Sequence, residues 1–452
     1  MTTLGLSMIV RDAAEWLPSC LGSVRPVVSE MVVADTGSTD ATISLARSLG
    51  ARVVSIPWNN DFAEARNRCL KEMTSDWILS LDADELLDPG AISVLAQLLA
   101  KTRTDGFQVT IRNYVLSLQD RIWDRPAIPN SSSIPLAAKY PAYVEHENVR
   151  LLRRSPDVYF VGRVHESVGP RLLELGRKIE PAPFFLHHFG LAASAETRER
   201  KNRFYRELGR EKIRERPRDA QAHLELGLVE MDNFANLDEA LHLFERACEL
   251  NSKLGIAWFF FGIAHLRKSN YAKALQSFAQ AERSGHRTAL VAESCGDAHY
   301  NSGAFHDAAN SYELALRREP SNPVFESKLG LALVRAGDAA SGIQHLQHAR
   351  ELRPRTPELH DRLILALVFL NEFQDAAQAA ESKLGTVDSP QTTDFLRAAS
   401  LWSKAADPAR AAAMLQIGLQ LNPHNKDLLA ALEELAQTIG IKTFSSASDS
   451  AT

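Results

Sequence analysis

The stretch WILSLDADEL, residues 77–86, is an apolar run that ends abruptly in the carboxylates of Asp82, Asp84 and Glu85. Such a run is typical of a β-strand that is covered on both faces. Asp82 and Asp84 are two residues apart, so they point to the same side of the strand end. Two interpretations follow: the acids face water at the start of the next element, or they bind a hard cation. The rest of the chain has to decide between them.

Three further apolar runs in the first 190 residues alternate with helical patterns. These runs are LSMIV (6–10), EMVVAD (30–35) and ARVVSI (51–56). The alternation predicts an α/β domain with a parallel sheet that is covered on both faces. Ligands of such sheets bind beside the carboxyl ends of the strands. Because Asp35 and Asp82 each stand at the end of an apolar run, we expect both acids at the site.

The second half of the chain repeats with a regular period. Gly262, Gly296 and Gly330 are each 34 residues apart. Twelve residues after each glycine stands a small residue, and sixteen after each stands a large one: Ala274, Ala308 and Gly342, then Phe278, Tyr312 and Leu346. This period and these residue types resemble tetratricopeptide repeats, in which small residues let paired helices approach closely.

These patterns divide the chain into four predicted parts. Residues 1–190 form the α/β domain, 191–218 a charged linker helix, 219–436 a solenoid of about six repeats, and 437–452 a disordered tail. Both signs of charge are frequent in AETRERKNRFYRELGREKIRER, residues 195–216. We therefore expect the linker helix to face mostly solvent.

The composition is that of a soluble globular protein, with 45% hydrophobic and 24% charged residues. A net charge of −5 gives no indication of a nucleic-acid-binding protein. No apolar stretch approaches the roughly 18–20 residues that a bilayer-spanning helix needs. The four cysteines are scattered along the chain, which favours reduced thiols in a cytoplasmic protein.

Four motifs follow one another in the first domain: MIVRD (8–12), DTGSTDAT (35–42), NDFAEARN (60–67) and LDADEL (81–86). Together with VGRVHESV (161–168) and LHHFG (186–190), they resemble glycosyltransferase family 2. The resemblance covers the whole first domain and implies the GT-A fold, a Rossmann-like nucleotide-sugar domain. Followed by tetratricopeptide repeats, this motif set resembles a bacterial arrangement. The first motif departs from the family's usual Lys-Asn-Glu ending, because it continues Arg11-Asp12-Ala13.

The resemblance implies a metal-dependent, inverting transferase and suggests roles for its acids. Asp35 would accept hydrogen bonds from the base or ribose of a nucleotide-sugar donor, most plausibly a UDP-sugar. Asp84 would bind the cation directly, while Asp82 would contact the ribose or a metal-bound water. Arg66 would contact the donor phosphates, and the alternatives for that role are Arg150, Arg153 and Arg163. We expect Mn²⁺ or Mg²⁺, because oxygen ligands and a diphosphate suit hard cations.

An inverting transfer also needs a base that takes the proton of the acceptor. In the family this acid lies downstream of the metal motif, and Glu166 is the first choice, ahead of Glu145 and Glu147. His165 is expected to be a third metal ligand or an acceptor contact, unless it is a structural histidine. His187 and His188 are adjacent on a strand, so at most one of them faces the site.

Two classes of function remain open. In the leading hypothesis, a cytoplasmic enzyme, or one peripheral at the inner membrane, glycosylates an acceptor that the repeats recruit. Stacked repeats bind extended peptides and protein partners, so the acceptor is a peptide, a protein or an envelope glycan. In the second hypothesis, the protein is a repeat scaffold whose first domain has lost catalysis. A polyprenyl-phosphate sugar synthase is a third reading, disfavoured because the membrane-associated helices typical of those enzymes are missing from this sequence.

Overall fold

The computed structural model describes residues 2–101, 103–117, 120–122, 125–190 and 195–438. The chain forms two compact units, one that ends at Phe234 and one that begins at Ala235. The first is a mixed α/β unit and the second is helical. The predicted fold class, an α/β domain followed by a helical-repeat solenoid, is confirmed. The tail predicted over 437–452 lies outside the described residues except for 437 and 438, which close the last helix.

The first unit is built on one mixed sheet. The four apolar runs of the sequence form its first strands, β1 (Leu4–Val10), β2 (Glu30–Asp35), β3 (Arg52–Ser55) and β4 (Trp77–Leu81). The later strands are β5 (Glu85–Leu87), β6 (Gly106–Val115), the short pair β7 (Arg121–Ile122) and β8 (Arg125–Pro126), β9 (Ile128–Pro129), β10 (Ala142–Arg153) and β11 (Ile179–His188). The strand order is β3-β2-β1-β4-β10-β6-β11-β5, and β9 pairs with β10.

The register of the first strands positions the acids. Strands β1 to β4 run parallel, as predicted. Val10 lies opposite Asp35, and Met8 lies opposite Leu81, the residue before Asp82. Because the carboxyl ends of parallel strands meet at one edge, Asp35 and Asp82 are brought to the same edge of the sheet.

Both faces of the sheet are covered, which explains why its strands are apolar at nearly every position. On one face, Val33 and Leu79 pack in a core with α1 (Leu17–Val24) and α4 (Ala91–Lys101). On the other face, Val32 and Ile78 pack with α3 (Phe62–Lys71). The remaining helices of this unit are α2 (Thr42–Ser48), α5 (Gly169–Glu174), α6 (Ala195–Glu215) and α7 (Ala220–Asn233), with a 3₁₀ turn at Pro135–Ala137.

Helix α6 differs from the solvent-facing linker that its charged sequence predicts. The rings of Phe204 and Tyr205 lie 6.4 and 6.1 Å from the ring of Phe62, and Leu208 is buried. Leu208 lies four positions after Phe204 and three after Tyr205, so the three residues form a narrow apolar strip along one face of a charged helix. Through its contacts with Phe62, this strip packs α6 on α3 within the first unit.

The second unit is a series of helices. They are α8 (Leu237–Leu250), α9 (Gly255–Arg267), α10 (Tyr271–Arg283), α11 (Ala289–Asn301), α12 (Phe305–Arg318), α13 (Pro323–Ala336), α14 (Ala339–Leu352), α15 (Pro357–Phe369), α16 (Phe373–Thr386), α17 (Thr392–Lys404), α18 (Pro408–Leu421) and α19 (Lys426–Thr438). From α9 onward they pack in successive pairs, α9 on α10 through α17 on α18.

The small and large positions of the repeat meet within each helix pair. A Cβ atom at Gly262 would lie 2.4 Å from the ring of Phe278, and one at Gly296 would lie 2.4 Å from the ring of Tyr312. The glycines therefore permit the close approach of helices that the sequence period predicts.

Two composition-based expectations can be compared with the structure. Across the described ranges, no helix is both long enough and apolar enough to cross a membrane. The thiols of Cys20, Cys69, Cys248 and Cys295 are all free, and the first three are buried.

Candidate functional site

Arg66 donates hydrogen bonds to three side chains of the first unit. Its Nε donates to Glu166 Oε1 at 2.5 Å, one terminal nitrogen donates to Ser80 Oγ at 3.0 Å, and the other donates to Asp82 Oδ1 at 2.5 Å. The residue lies on α3 and is only 3% exposed. The predicted metal motif and the predicted base are thus held by one buried guanidinium.

Arg150, on strand β10, holds the other side of the same acids. One of its terminal nitrogens donates to Asp82 Oδ2 at 2.8 Å and to Glu85 Oε1 at 2.7 Å. Each oxygen of Asp82 therefore accepts a hydrogen bond from a different arginine. We call Arg66, Asp82, Glu85, Arg150 and Glu166 the strand-end cluster.

Burial and charge act in opposite directions within the cluster. Burial disfavours the charged carboxylate of Asp82, but Arg150 and Arg66 outweigh it and hold the pKa of that carboxyl well below its ordinary value. For Glu85 burial prevails over the attraction of Arg150, and the pKa rises to about 7. Burial lowers the pKa of each guanidinium, but the neighbouring carboxylates more than compensate and raise it. Asp82 therefore stays charged at neutral pH.

Asp84 lies beside His188, the third residue of the LHHFG motif. The distance from His188 Nε2 to Asp84 Oδ1 is 3.5 Å, and Nδ1 of the same ring donates to Asn113 Oδ1 at 2.7 Å. Burial lowers the pKa of His188, but the bond to Asp84 and the nearby acids outweigh it and raise the pKa to about 9. Burial likewise opposes ionisation of Asp84, but His188 outweighs it and the pKa of Asp84 is lowered.

Gly190 makes room for this pair. A Cβ atom there would lie 2.4 Å from Asp84 Oδ2 and 2.7 Å from His188 Nε2. Any side chain at this position would displace the two polar atoms that face each other. The glycine that ends the motif is therefore required by the close approach of the backbone to the site.

The prediction that Arg66 contacts donor phosphates does not fit this geometry. Its nitrogens already donate to Glu166, Ser80 and Asp82, and the side chain is buried. A phosphate would have to displace an acid in order to reach it. The structure instead makes Arg66 a positioning residue that fixes Asp82 and Glu166 relative to each other. The sequence did not reveal this because the direction of a helix face depends on what packs against it.

Asp35 lies where the sequence predicts, at the carboxyl end of β2. It is buried, and its carboxylate accepts hydrogen bonds from the backbone N–H groups of Gly37 at 3.0 Å and Ser38 at 3.1 Å. These bonds fix the turn after the strand. The predicted contact with the base or ribose stays a prediction.

Glu166 and His165 are adjacent in sequence but differ in their surroundings. The side chain of Glu166 is 12% exposed, and only its Oε1 has a hydrogen-bond partner among the described residues. His165 is exposed, has a φ of +54° and makes no hydrogen bond or ion pair within the described ranges. The imidazole that lies beside Asp84 is that of His188, so His188 is the better candidate for a metal ligand.

The lesser candidates have other contacts. Glu145 pairs with Arg112 at 3.0 Å, and Glu147 accepts from Gln108 at 3.0 Å. Arg153 lies over the ring of Trp77, 4.7 Å from its centroid. These contacts lie along the strands and do not include the strand-end cluster.

His187, next to His188, is buried away from Asp84. Its ring bonds Tyr114 Oη at 2.7 Å and Asp88 at 3.2 Å. Only one of the two adjacent histidines thus reaches the metal motif, as their alternation on strand β11 predicts.

The residues beside Asp84 fit a divalent cation. Carboxylate oxygens are ligands of both Mn²⁺ and Mg²⁺, and Mg²⁺ is commonly held by one or two carboxylates together with substrate phosphates. In the part of the chain that the structure describes, no three His, Cys, Asp or Glu side chains form a complete metal site. Asp84 would therefore hold the ion together with a ligand's phosphates, and His188 would join it through Nε2 once binding of the cation displaces the proton from that nitrogen.

Family comparisons divide the chain in the same way as its fold. Residues 7–160 match the model of glycosyl transferase family 2, and residues 233–287 and 295–357 match a tetratricopeptide-repeat model. The first match contains Asp35, Arg66 and the metal motif. The predicted family resemblance is confirmed for both parts.

Curated relatives match parts of the chain. A TPR repeat-containing protein of Synechococcus elongatus is 36% identical over 175 residues, which are 39% of this chain and 38% of the relative. The SPbeta prophage-derived glycosyltransferase SunS of Bacillus subtilis is 27% identical over 170 residues, 36% of this chain and 34% of the relative. An uncharacterized glycosyltransferase of Rickettsia felis is 36% identical over 92 residues, 19% of this chain and 30% of the relative. The chain thus spans about a third of the length of these relatives.

Among solved structures, that of pilF from Pseudomonas aeruginosa matches 49% of this chain and all of its own length. The sequence identity is 18% and the TM-score is 0.37. These values are too low to support any inference about function.

Proposed function

We propose that this chain, in which a glycosyl transferase family 2 domain precedes tetratricopeptide repeats, transfers a sugar from a nucleotide-sugar donor to an acceptor that the repeats recruit. The observation that carries the proposal is the strand-end cluster, with Asp84 and His188 beside it. Two arginines and four acids converge where ligands of such sheets bind. A purely structural domain has no need for so many charges at one edge of its sheet.

On the donor side, Asp35 would accept hydrogen bonds from the base or ribose, since a carboxylate suits N–H and hydroxyl donors. Asp84 and His188 would hold Mn²⁺ or Mg²⁺. When bound, the cation supplies positive charge that offsets the negative charge of the diphosphate leaving group. A UDP-sugar is the favoured donor. Asp82 lies next to Asp84 and would contact the ribose while its own charge is held by Arg66 and Arg150.

The transfer itself would be an inverting displacement. An acceptor oxygen or sulfur attacks the anomeric carbon of the donor sugar and forms the new glycosidic bond. The bond from that carbon to the diphosphate breaks, and the nucleoside diphosphate leaves with the bonding electrons. Glu166 would take the acceptor's proton at Oε2, the oxygen that Arg66 does not bind. Arg66 would keep this carboxylate in place during the step.

The acceptor is proposed to be a peptide or protein, with an envelope glycan as the alternative. Repeat helices form an extended surface that binds such partners. On α15, Leu365 and Phe369 are exposed one turn apart, and the guanidinium of Arg335 lies 4.9 Å from the centroid of the Phe369 ring. Exposed apolar side chains beside a cation support a peptide-binding role for this unit.

Donor hydrolysis tests the proposal against the inactive-scaffold hypothesis. Purified full-length protein is incubated with Mn²⁺ and a panel of UDP-, GDP- and dTDP-sugars, and released nucleoside diphosphate is measured. We expect slow hydrolysis of at least one donor. Asp84→Asn should reduce it by about a hundredfold or more, the loss typical when transition-state charge is left uncompensated.

Asp157→Asn is the matched control, because Asp157 pairs with Arg177 away from the cluster. This variant should hydrolyse the donor at the rate of the unmodified protein. If folded protein neither hydrolyses nor binds any nucleotide of the panel, the scaffold hypothesis is favoured. If Asp84→Asn retains full turnover, the metal site is elsewhere.

A further inference from the structure

Helix α6 carries two hydrogen-bond donors that have no partner within the described ranges, Lys201 and Tyr205. They are four residues apart, so they lie on the same face of the helix, one turn from each other. Leu208, three residues further on, is buried on this face. Lys201 and Tyr205 therefore lie on the side of α6 that packs on the rest of the first unit.

The position of this helix is fixed by contacts on both sides of Tyr205. The Tyr205 ring stacks on Phe62 at 6.1 Å with an interplanar angle of 20°, and the neighbouring Phe204 ring lies 6.1 Å from Trp58. Near the end of the helix, Arg163 pairs with Glu215. Since Phe62 begins the helix that carries Arg66, α6 is placed next to the strand-end cluster.

The hydroxyl of Tyr205 is a hydrogen-bond donor on the same helix face as Lys201. Burial, followed by the charges of Asp82, Glu166 and Asp84, raises the pKa of Tyr205 to about 12. The phenol thus stays protonated at neutral pH and can donate a hydrogen bond but cannot act as a base. The Tyr205 ring stacks on Phe62, which begins the helix that carries Arg66, and Lys201 precedes Tyr205 by one turn on the same face. Both side chains therefore project from the face of α6 that packs beside the strand-end cluster.

The site needs such donors, because its two buried arginines are already engaged. Arg66 and Arg150 are bound by carboxylates of the strand-end cluster. A nucleoside diphosphate has several anionic oxygens that require hydrogen-bond donors and positive charge. The exposed ammonium of Lys201 is free to supply both, and the hydroxyl of Tyr205 supplies a neutral donor beside it.

We propose that Lys201 and Tyr205 are donor-binding residues, whose ammonium and hydroxyl groups hydrogen-bond the diphosphate of the nucleotide donor from helix α6. This inference rests on the proposed function, because it takes a nucleoside diphosphate to be the ligand. It assigns a binding role to a helix that follows the segment matched by the family model, which ends at residue 160.

Calorimetric titration of the full-length protein with UDP, GDP and dTDP in the presence of Mn²⁺ tests the assignment. Lys201→Met should weaken binding of the preferred nucleotide by about tenfold, because one charge-assisted hydrogen bond is lost. Tyr205→Phe keeps the ring on Phe62 but loses the hydroxyl, and should weaken binding by about threefold to tenfold. Lys201→Arg should restore most of the affinity. Lys201→Met should also make binding less dependent on salt concentration.

Two matched variants separate this role from a general effect on the helix. Arg203→Met removes another cation from α6. The Arg203 side chain is 71% exposed and pairs with Glu199. Tyr159→Phe removes a hydroxyl from a tyrosine that packs under Arg171. Both should bind the nucleotide like the unmodified protein.

The possible results distinguish the two proposals. If the unmodified protein binds a nucleotide and Lys201→Met and Tyr205→Phe bind it equally well, the role of α6 is wrong while the proposed function stands. If the unmodified, folded protein binds no nucleotide of the panel, the proposed function itself is contradicted, and the assignment of Lys201 and Tyr205 falls with it.

Discussion

Both units of this protein contain partly buried networks of charge, but the networks are arranged differently. In the repeat unit, Lys328 on α13 pairs with Glu293 at 2.8 Å and Asp297 at 2.7 Å, both on α11. Lys383 on α16 likewise pairs with acids of α15 and α17. Lys328 links the first helices of two successive helix pairs, and Lys383 links its own helix with the helices before and after it. The acids that each lysine binds therefore belong to nearby helices of the series.

In the α/β unit the charges come from distant parts of the chain and meet at one edge of the sheet. Arg66 and Glu166 are 100 residues apart, and Arg150 and Asp82 are 68 residues apart. Beside them, Asp84 and His188 are partly accessible, with side-chain exposures of 23% and 24%. A network that links neighbouring elements therefore serves packing. A network that collects distant acids at a strand edge, with further polar groups open beside it, serves a ligand.

Among the variants considered, Glu166→Gln is expected to have the largest effect, a loss of sugar transfer. The amide keeps the shape of the side chain but cannot take a proton. Transfer to acceptor should fall by about a hundredfold to ten-thousandfold, the usual contribution of a general base. Binding of nucleoside diphosphate with Mn²⁺ should be nearly unchanged, and calorimetry measures it independently of turnover.

Glu147→Gln is the control for this variant, since Glu147 bonds Gln108 on a neighbouring strand. It should transfer sugar at the normal rate. If Glu166→Gln transfers sugar at the normal rate, Glu166 is not the base.

An intermediate effect, confined to the other unit, is expected from Gly330→Val. A Cβ atom at Gly330 would lie 2.7 Å from the carbonyl oxygen of Gly342 and 2.8 Å from Leu346 Cγ. The backbone of α14 would have to move, so the repeat unit should lose about 1–3 kcal/mol of stability. Thermal melting followed by circular dichroism measures the loss, and donor hydrolysis at low temperature should be unaffected.

Gly385→Ala is the matched control, because this helical glycine has open space around its Cβ position. It should stabilise the unit by up to about 1 kcal/mol, since alanine favours helix more than glycine does. Equal melting of Gly330→Val and the unmodified protein would mean that the helices are not in close contact at Gly330.

The smallest effect concerns a single acid of the repeat unit. Glu326 accepts hydrogen bonds from His345 Nδ1 at 2.8 Å and His348 Nδ1 at 2.9 Å. Burial alone would raise the pKa of Glu326, but the bonds to the two histidines outweigh it, and the pKa lies below its ordinary value. A lowered pKa in the folded state adds stability above the unfolded value of 4.5, and this stability is lost as pH falls through the folded value.

We therefore expect Glu326→Gln to melt below the unmodified protein at pH 6, and the difference should shrink as the pH is lowered past 4.5. The exposed acid of the Glu313–Arg317 pair provides the control, and Glu313→Gln should show little difference at either pH. A difference for Glu326→Gln that stays constant with pH would mean that its charge contributes nothing to stability.

The sequence predicted the parts of the structure that have a local signal. The apolar runs at 6–10, 30–35, 51–56 and 76–84 contain the first four strands or most of their residues, because a strand buried on both faces is apolar throughout. The repeat period predicted that small residues let paired helices approach closely, and Gly262 indeed lies against the ring of Phe278. The acids at the end of β4 also have a local signal, because they directly follow an apolar run in the sequence.

The sequence could not predict contacts that depend on long-range register. His188 reaches Asp84 because β11 pairs with β6 and β5, which places His188 opposite Asn113 and Glu85. No local pattern distinguishes this histidine from His187 or His165. The many charges of helix α6 predict a solvated linker because they outnumber the three residues of its apolar strip, Phe204, Tyr205 and Leu208. A search for apolar residues at helical spacing within that charged stretch would have found it.

The central claim is that the acids which follow β4 hold a divalent cation against the diphosphate of a nucleotide. Crystals of the full-length protein grown with UDP and Mn²⁺ test it by anomalous scattering from manganese. We expect a manganese peak within coordination distance of the Asp84 carboxylate and of the nucleotide's phosphate oxygens. A nucleotide bound at a different place, or a manganese ion that does not contact Asp84, would contradict it.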